Sequence, residues 1–278
     1  MKNLDGRNVV VTGGSYGIGL EICRSFACRG ANVFIIARNP ERLSTAVEEI
    51  GRVAPPGRRV SGYPCDVSDR AAITRCIEEI ARAQQGIDVL VNNAGTVVAG
   101  YFEDLSMQDF EAQVKTNFLG TVYATRAALP HLLSREESAL VITSSLAGIK
   151  GVFGYSAYSP GKFALTGFAE VLRAELKSKG VQVTLLLPPD TDTPGYRREL
   201  KTQPPETGAV GGKAGLMQPQ QVAERFIRSF IKGKFMVICG MSGRLLYRVN
   251  GITPGLTDRY MDYLVAREQR HREKHPPA

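Results

Sequence analysis

The sequence predicts a doubly wound α/β fold, with about seven parallel strands in one sheet and helices on both of its faces. Two observations predict it. Short β-branched runs alternate with segments of helical period along most of the chain. Runs such as Val33-Phe34-Ile35-Ile36-Ala37 and Val183-Thr184-Leu185-Leu186-Leu187 are almost continuously apolar, the pattern of strands covered on both sides. Parallel neighbours need right-handed crossovers, which leaves few other topologies.

Taken in order, the apolar runs place strands at 8–12, 32–37, 60–65, 89–92, 140–144, 181–187 and 235–239. Helical periodicity fills 17–29, 41–50, 70–84, 107–133, 157–179 and 220–232. Residues 188–219 break the rhythm: they are rich in Pro, Gly and Thr and follow the carboxyl end of a strand. Open α/β sheets bind ligands at that edge, and long loops there are usually lids, so this segment is the expected substrate loop. A single domain over 1–278 is expected, ending in a basic extension from about 240 to 278.

At 43% hydrophobic and 22% charged, the 278 residues can bury a sizeable core, as soluble globular proteins do. No apolar run approaches the ~20 residues that a membrane-spanning helix needs. Residues 1–7 are polar and lead directly into a strand, so a cytoplasmic protein without a signal peptide is expected. The five cysteines are scattered singly, and with three histidines no zinc spacing forms; reduced thiols and no metal are expected. Most of the net charge of +8 sits at the end, where residues 225–278 carry eleven Lys/Arg against four Asp/Glu. No nucleic-acid motif accompanies this tail, which excludes nucleic acid from the expected partners.

The first strand runs into Thr12-Gly13-Gly14-Ser15-Tyr16-Gly17-Ile18-Gly19 and then an apolar helix. Glycines let backbone turn sharply and approach a pyrophosphate, whose charge the helix amino terminus stabilises. In this strand–turn–helix context the signal points to a dinucleotide. The second strand ends Ile36-Ala37-Arg38-Asn39, with Arg42 close behind and no acid to meet a free ribose hydroxyl. A guanidinium suits a 2′-phosphate by charge and by its fork of donors, so NADP(H) is the expected cofactor. Asp66, after the third strand, is placed either to accept from the adenine amine or to cap the next helix. The turn Asn92-Asn93-Ala94-Gly95 is small enough for backbone to pass close to a cofactor or a neighbouring strand.

Tyr158 and Lys162 stand four residues apart in Tyr158-Ser159-Pro160-Gly161-Lys162, on one helical face. A neighbouring ammonium favours phenolate, so a lowered Tyr158 pKa is expected, suited to exchanging a proton with a ketone or alcohol oxygen. Ser145, at a strand end, is placed to hydrogen-bond the same oxygen, and Asn117 to hold a water linking Lys162 to solvent. Each signal alone has a plainer reading, a surface Tyr/Lys pair or a serine turn; their order on a dinucleotide fold is what gives them weight.

The glycine turn, Asn92-Asn93-Ala94-Gly95, Asn117, Ser145 and Tyr158…Lys162, in this order, resemble the short-chain dehydrogenase/reductase family, and the likeness extends to about Pro194. The resemblance implies a Rossmann-type NADP-dependent oxidoreductase. It places the catalytic quartet at Asn117, Ser145, Tyr158 and Lys162. It places the cofactor contacts at Gly13, Ser15, Tyr16, Gly17, Ile18, Gly19 and Asn93, together with Tyr158 and Lys162, whose ammonium also bonds the nicotinamide ribose. It further implies a homo-oligomer, dimer or tetramer, formed through the helix that bears Tyr158.

Three further phrases, 188–195 with 202–207, 100–105, and 153–158, are similar to a subgroup of 3-ketodihydrosphingosine reductases. These reduce 3-dehydrosphinganine to sphinganine with NADPH in sphingolipid synthesis. The likeness strengthens Arg38, Arg42 and Asp66 as cofactor contacts and implies a lipid-like ketone as substrate. The alternatives are a reductase for a β-ketoacyl, steroid or xenobiotic carbonyl, and a catalytically silent NADP-binding regulator. The intact quartet argues against the silent regulator. Animal and fungal members of the subgroup carry hydrophobic anchors that this sequence lacks, which suggests a soluble or peripheral form. Tyr16 replaces a commoner Ser, and Pro160 with Gly161 replace small helix formers, which makes a kinked or late helix start possible. Finally, Leu256, Tyr260, Met261, Leu264 and Val265 fall at helical spacing among Arg259, Arg267, Arg270, Arg272 and Lys274. That stripe suits either packing on the domain or lying on the cytosolic face of an anionic membrane.

Overall fold

The computed structural model describes residues 1–212 and 215–275. Seven parallel strands form one sheet in the order β3-β2-β1-β4-β5-β6-β7. They are β1 Asn8–Thr12, β2 Asn32–Ala37, β3 Val60–Pro64, β4 Val89–Asn92, β5 Ser138–Thr143, β6 Val181–Leu187 and β7 Met236–Ile238. The central strands β1, β4 and β5 are buried along their whole length, as their unbroken apolar runs require. Edge strand β3 is only half-buried and ends on Pro64, whose missing N–H a central strand could not tolerate.

Helices α1 (Gly17–Ala27), α2 (Pro40–Gly51) and α9 (Pro219–Ile231) cover one face of the sheet, where Phe26, Phe226 and Phe230 form an edge-to-face aromatic cluster. Full burial of each ring contributes roughly 1.5–3 kcal/mol. On the other face, α3 (Arg70–Ala83), α5 (Gly120–Leu133) and α6 (Ser159–Leu176) bury Ile73, Ile77, Ala124, Leu132, Leu165 and Ala169. The strand order reverses between β1 and β4, which opens a crevice at the carboxyl ends of the sheet.

Two helix expectations need correction. The segment 107–133 is not one helix: α4 (Met107–Gln113) and α5 are joined by a π-helical turn, Val114–Leu119, whose wider winding leaves the apolar periodicity almost unchanged. The helix expected at 157–179 begins at Ser159 and ends at Leu176. Pro160 therefore lies in its first turn, where no amide donor is needed, and it causes no break.

The segment 188–219 holds two short helices, α7 (Pro194–Glu199) and α8 (Pro205–Gly211), and its ends are tied by a bridge between Thr191 and Met217. The tail folds as α10 (Met241–Ile252) and α11 (Pro254–Lys274). The stripe expected on α11 divides: Leu264 is buried and Met261 reaches the central crevice, whereas Leu256 and Tyr260 face outward. Lys150 pairs with Asp258, and Arg272 donates to the Tyr101 hydroxyl at 3.2 Å, fastening α11 across the end of the sheet.

Candidate active site

The crevice opens into a cavity of about 510 Å³ whose lining joins the glycine turn, Ser145, Tyr158 and Lys162 to the 188–219 segment. At the β1 end, Gly13 and Gly17 adopt φ of +68° and +60°, a region that favours glycine. A Cβ on Gly13 would stand 2.7 Å from the Ala94 Cα, and one on Gly19 would stand 2.2 Å from the Gly13 carbonyl oxygen. The turn is thus packed directly against Asn93 and Ala94, with Asn93 Nδ2 donating to the Gly13 carbonyl at 3.1 Å. Thr12 Oγ1 accepts from the Asn93 and Ala94 amides at 3.1 and 3.2 Å and locks the two loops together. Tyr16 occupies the N-cap of α1 without a side-chain cap, which leaves the first amides of that helix free to meet an anion. Side-chain-free backbone and uncapped amides fit a pyrophosphate, the cradle a dinucleotide needs.

Three arginines gather beside this cradle. Arg42 and Arg198 each lie 5.9 Å from the Tyr16 ring centroid, and Arg38 is 64% exposed with only a 3.8 Å approach to Asp66. An exposed pair of that length contributes little, so the Arg38 guanidinium keeps its donors for an anion. Arg198 went unseen in the sequence reading because it comes from α7, far along the chain. Asp66 does not cap a helix. Its carboxylate accepts from the Ser68 amide and hydroxyl, and Asp69 caps α3 instead.

At the opposite end of the cavity, Tyr158 stands at the N-cap of α6 and Lys162 lies in the first turn. Lys162 is buried; its Nζ donates to the Thr143 carbonyl at 3.1 Å and lies 5.5 Å from the Tyr158 ring centroid. Burial pulls the Lys162 pKa down to about 8. The expected lowering of the Tyr158 pKa is not what the structure has. Burial and then the nearby Glu199 charge push the phenol well above its ordinary range, with the adjacent Ser145 hydroxyl opposing them only in part. Tyr158 is thus a fully protonated donor throughout the neutral range. Ser145 also caps a short turn by accepting from the Ala147 amide at 3.1 Å. The Asn117 side chain is spent on the Thr96 backbone, accepting at 2.7 Å and donating at 2.9 Å. Any water at Asn117 therefore falls to its carbonyl, which the π-helical turn presents and which accepts from Thr121 Oγ1 at 3.0 Å.

An acidic wall faces Tyr158, and the sequence reading missed it. Glu199 is 7% exposed, and the Tyr155 hydroxyl donates to it; the Tyr155 ring packs edge-on against Tyr158, centroids 5.2 Å apart. Burial pushes the Glu199 pKa up to about 7 against the opposing Tyr155 hydrogen bond, with Asp190 adding to the rise. Such a carboxyl holds its proton more tightly folded than unfolded, so the protein loses stability as pH rises from about 4.5 through about 7. The loss is at most about 3 kcal/mol. Glu199→Gln is neutral at every pH. It should raise the urea midpoint over wild type at pH 8 and match it at pH 4.5; a less stable variant at pH 8 would contradict this electrostatic picture.

The remote phrases meet beside the cavity, which Tyr155, Tyr158 and Thr202 line. The Tyr101 hydroxyl donates to Glu206 at 3.0 Å, Thr207 Oγ1 donates to the Phe153 carbonyl at 2.9 Å, and the Gly100 amide donates to the Gly154 carbonyl at 3.0 Å. Glu206 is buried beneath Arg272 of α11. Segments 100–105, 153–158 and 202–207 thereby form one wall beside the α11 strap.

The chain matches the short chain dehydrogenase family over residues 7–204. A relative named 3-dehydrosphinganine reductase from Danio rerio is 38% identical over 91% of this chain and 76% of its own length. Another, named 3-ketodihydrosphingosine reductase, from Bos taurus, is 38% identical with the same coverage. A solved short chain dehydrogenase from Burkholderia cenocepacia J2315, in complex with NADP, superposes with a TM-score of 0.72 at 30% identity, covering 87% of this chain and 94% of that one. Sequence and fold agree: the chain belongs to the short chain dehydrogenase family.

Proposed function

We propose that the protein reduces 3-dehydrosphinganine to sphinganine with NADPH. The observation that carries this reading is the single wall formed by segments 100–105, 153–158 and 202–207, since these segments, with 188–195, are the ones that resemble the sphinganine-type reductases. The names of the two relatives support it. NADPH, when bound, supplies the hydride. The glycine turn, Asn93 and the α1 amides hold its phosphates, and Arg38, Arg42 and Asp66 hold its adenosine end. Ser145 and Tyr158 orient the ketone oxygen, and Tyr158 gives its phenolic proton to the forming alkoxide. Lys162 then stabilises the phenolate and binds the ribose, while Asn117 holds the water through which the proton is restored. Residues 1–278 act as one catalytic unit, with 188–219 as its substrate loop. Exposed Phe163 and Val171 on α6 offer a sister subunit an apolar surface in a dimer or tetramer.

The assay is NADPH consumption against 3-dehydrosphinganine, a β-ketoacyl thioester and a steroid ketone. The long-chain amino ketone should give the highest kcat/KM; a higher value on either rival ketone overturns the assignment.

No helix among the described residues is long and apolar enough to cross a membrane. A sphingoid ketone partitions into lipid, and α10–α11 supply a means of reaching it from the cytosolic face. Met241, Leu245 and Ile252 of α10 and Leu256, Tyr260 and Tyr263 of α11 are exposed, on two helices that also carry Arg244, Arg248, Arg259 and Arg267. Each Lys or Arg near an anionic surface contributes ~1 kcal/mol. The full chain should co-sediment with phosphatidylserine vesicles at low salt but not with neutral ones, and Met241→Ser with Leu245→Ser and Ile252→Ser should weaken this. Absence of binding to anionic vesicles would leave the tail as a packing element alone.

A further inference from the structure

The Glu199 carboxyl costs stability where it stands, and nothing in the protonation chemistry assigned to Tyr158 requires it. It is buried, it lines the cavity, and among the described residues its one hydrogen-bonding partner is the Tyr155 hydroxyl. Among the described residues no Lys or Arg lies within ion-pairing reach of Glu199 or of Asp190, its acidic neighbour on the cavity wall. Of the cationic side chains that line the cavity, Lys162 is engaged on Thr143, Lys150 on Asp258 and Arg198 over Tyr16, and Arg38 lies at the cofactor end beside Asp66. A buried carboxylate without a countercharge is unfavourable, and an entering cation relieves it.

The geometry points to a substrate ammonium as that cation: we propose that Glu199, seconded by Asp190, binds the protonated amine of a 2-amino ketone and selects such ketones over their uncharged analogues. This rests on the sphinganine-type reading. In 3-dehydrosphinganine the nitrogen stands on the carbon next to the carbonyl. A ketone oxygen placed at Tyr158 therefore carries the ammonium towards the neighbouring side of the cavity. Tyr155 links the two functions, its ring packed on Tyr158 and its hydroxyl on Glu199. Aliphatic carbons then meet Val97, Ala147 and Val152, which line the cavity in an apolar patch around Tyr155. Glu199 acts here as a specificity-determining residue.

The test compares kcat/KM for 3-dehydrosphinganine with that for the same ketone bearing hydrogen in place of the amine, in wild type and in Glu199→Gln. A charge-assisted hydrogen bond lost from a buried site lowers affinity by about tenfold or more. The amino/des-amino ratio should accordingly be well above one in wild type and fall at least about tenfold in the variant. A structural role would move both substrates together, and an unchanged ratio overturns the proposal. If Glu199→Gln does not fold, Asp190→Asn must lower the same ratio. Failure of the sphinganine reading has a different signature: wild type then consumes NADPH with neither long-chain ketone. Equilibrium binding of 2-amino-octadecan-1-ol against octadecan-1-ol then decides, and a wild-type ratio of one overturns the ammonium site.

Discussion

Tyr158→Phe should lower kcat by about 10²–10⁴ while leaving NADPH affinity nearly unchanged. The substitution removes one hydroxyl and keeps the ring that packs edge-on against Tyr155, so the wall of the cavity stays in place. What disappears is the proton donor. The Tyr158 pKa stands above the ordinary phenol range, so wild type carries that proton at every neutral pH. The loss of rate should therefore be equally deep from pH 6 to pH 8. Single-turnover reduction with saturating NADPH reads the chemical step, and fluorescence titration of NADPH reads binding. A variant with near wild-type turnover would remove Tyr158 from the reaction. Lys162→Ala, by contrast, should harm both readouts, because this buried ammonium faces Tyr158 and is assigned the ribose as well.

The second large effect concerns the choice of dinucleotide. Wild type should prefer NADPH over NADH by one to a few orders of magnitude, since each charged hydrogen bond to phosphate contributes roughly 1.5–3 kcal/mol. β2 ends at Ala37, and Arg38 and Arg42 follow on the rim of the cavity without a strong acidic partner. Ala37→Asp combined with Arg38→Leu supplies an acceptor for a free ribose hydroxyl and removes one guanidinium. The ratio of kcat/KM values should move towards NADH by at least about tenfold. Circular dichroism must accompany the assay, because Ala37 is buried at the strand end. An unchanged ratio in a folded variant would place the 2′-phosphate elsewhere.

The sheet was legible because each of its strands is a compact apolar run, and β1, β2, β4 and β6 have the bounds that those runs indicate. The π-helical turn at Asn117 was not, because one extra residue per turn scarcely disturbs a hydrophobic stripe. In the site, what lies close in sequence could be read: the glycine turn and the Tyr158–Lys162 spacing. What the fold assembles from distant segments could not. Arg198 and Glu199 adjoin in sequence, but only the fold carries Glu199 to the Tyr155 hydroxyl and Arg198 over Tyr16. The Tyr158 pKa was misread for the same reason: the Lys162 four residues on is visible in sequence, whereas burial and Glu199 are not. On α11 the helical spacing was legible, but which side of the stripe would be covered depended on the packing of Leu264 and Met261.

In the proposed reaction a hydride reaches the 3-keto carbon of a sphingoid base in this cavity. The most direct measurement uses NADPH deuterated at both positions of nicotinamide C4, with 3-dehydrosphinganine and the full-length chain, and mass spectrometry of the product. Wild type should form sphinganine carrying one deuterium at C3, and Tyr158→Phe almost none. Unlabelled sphinganine, or unreacted ketone beside cofactor that is oxidised by another carbonyl, would contradict it.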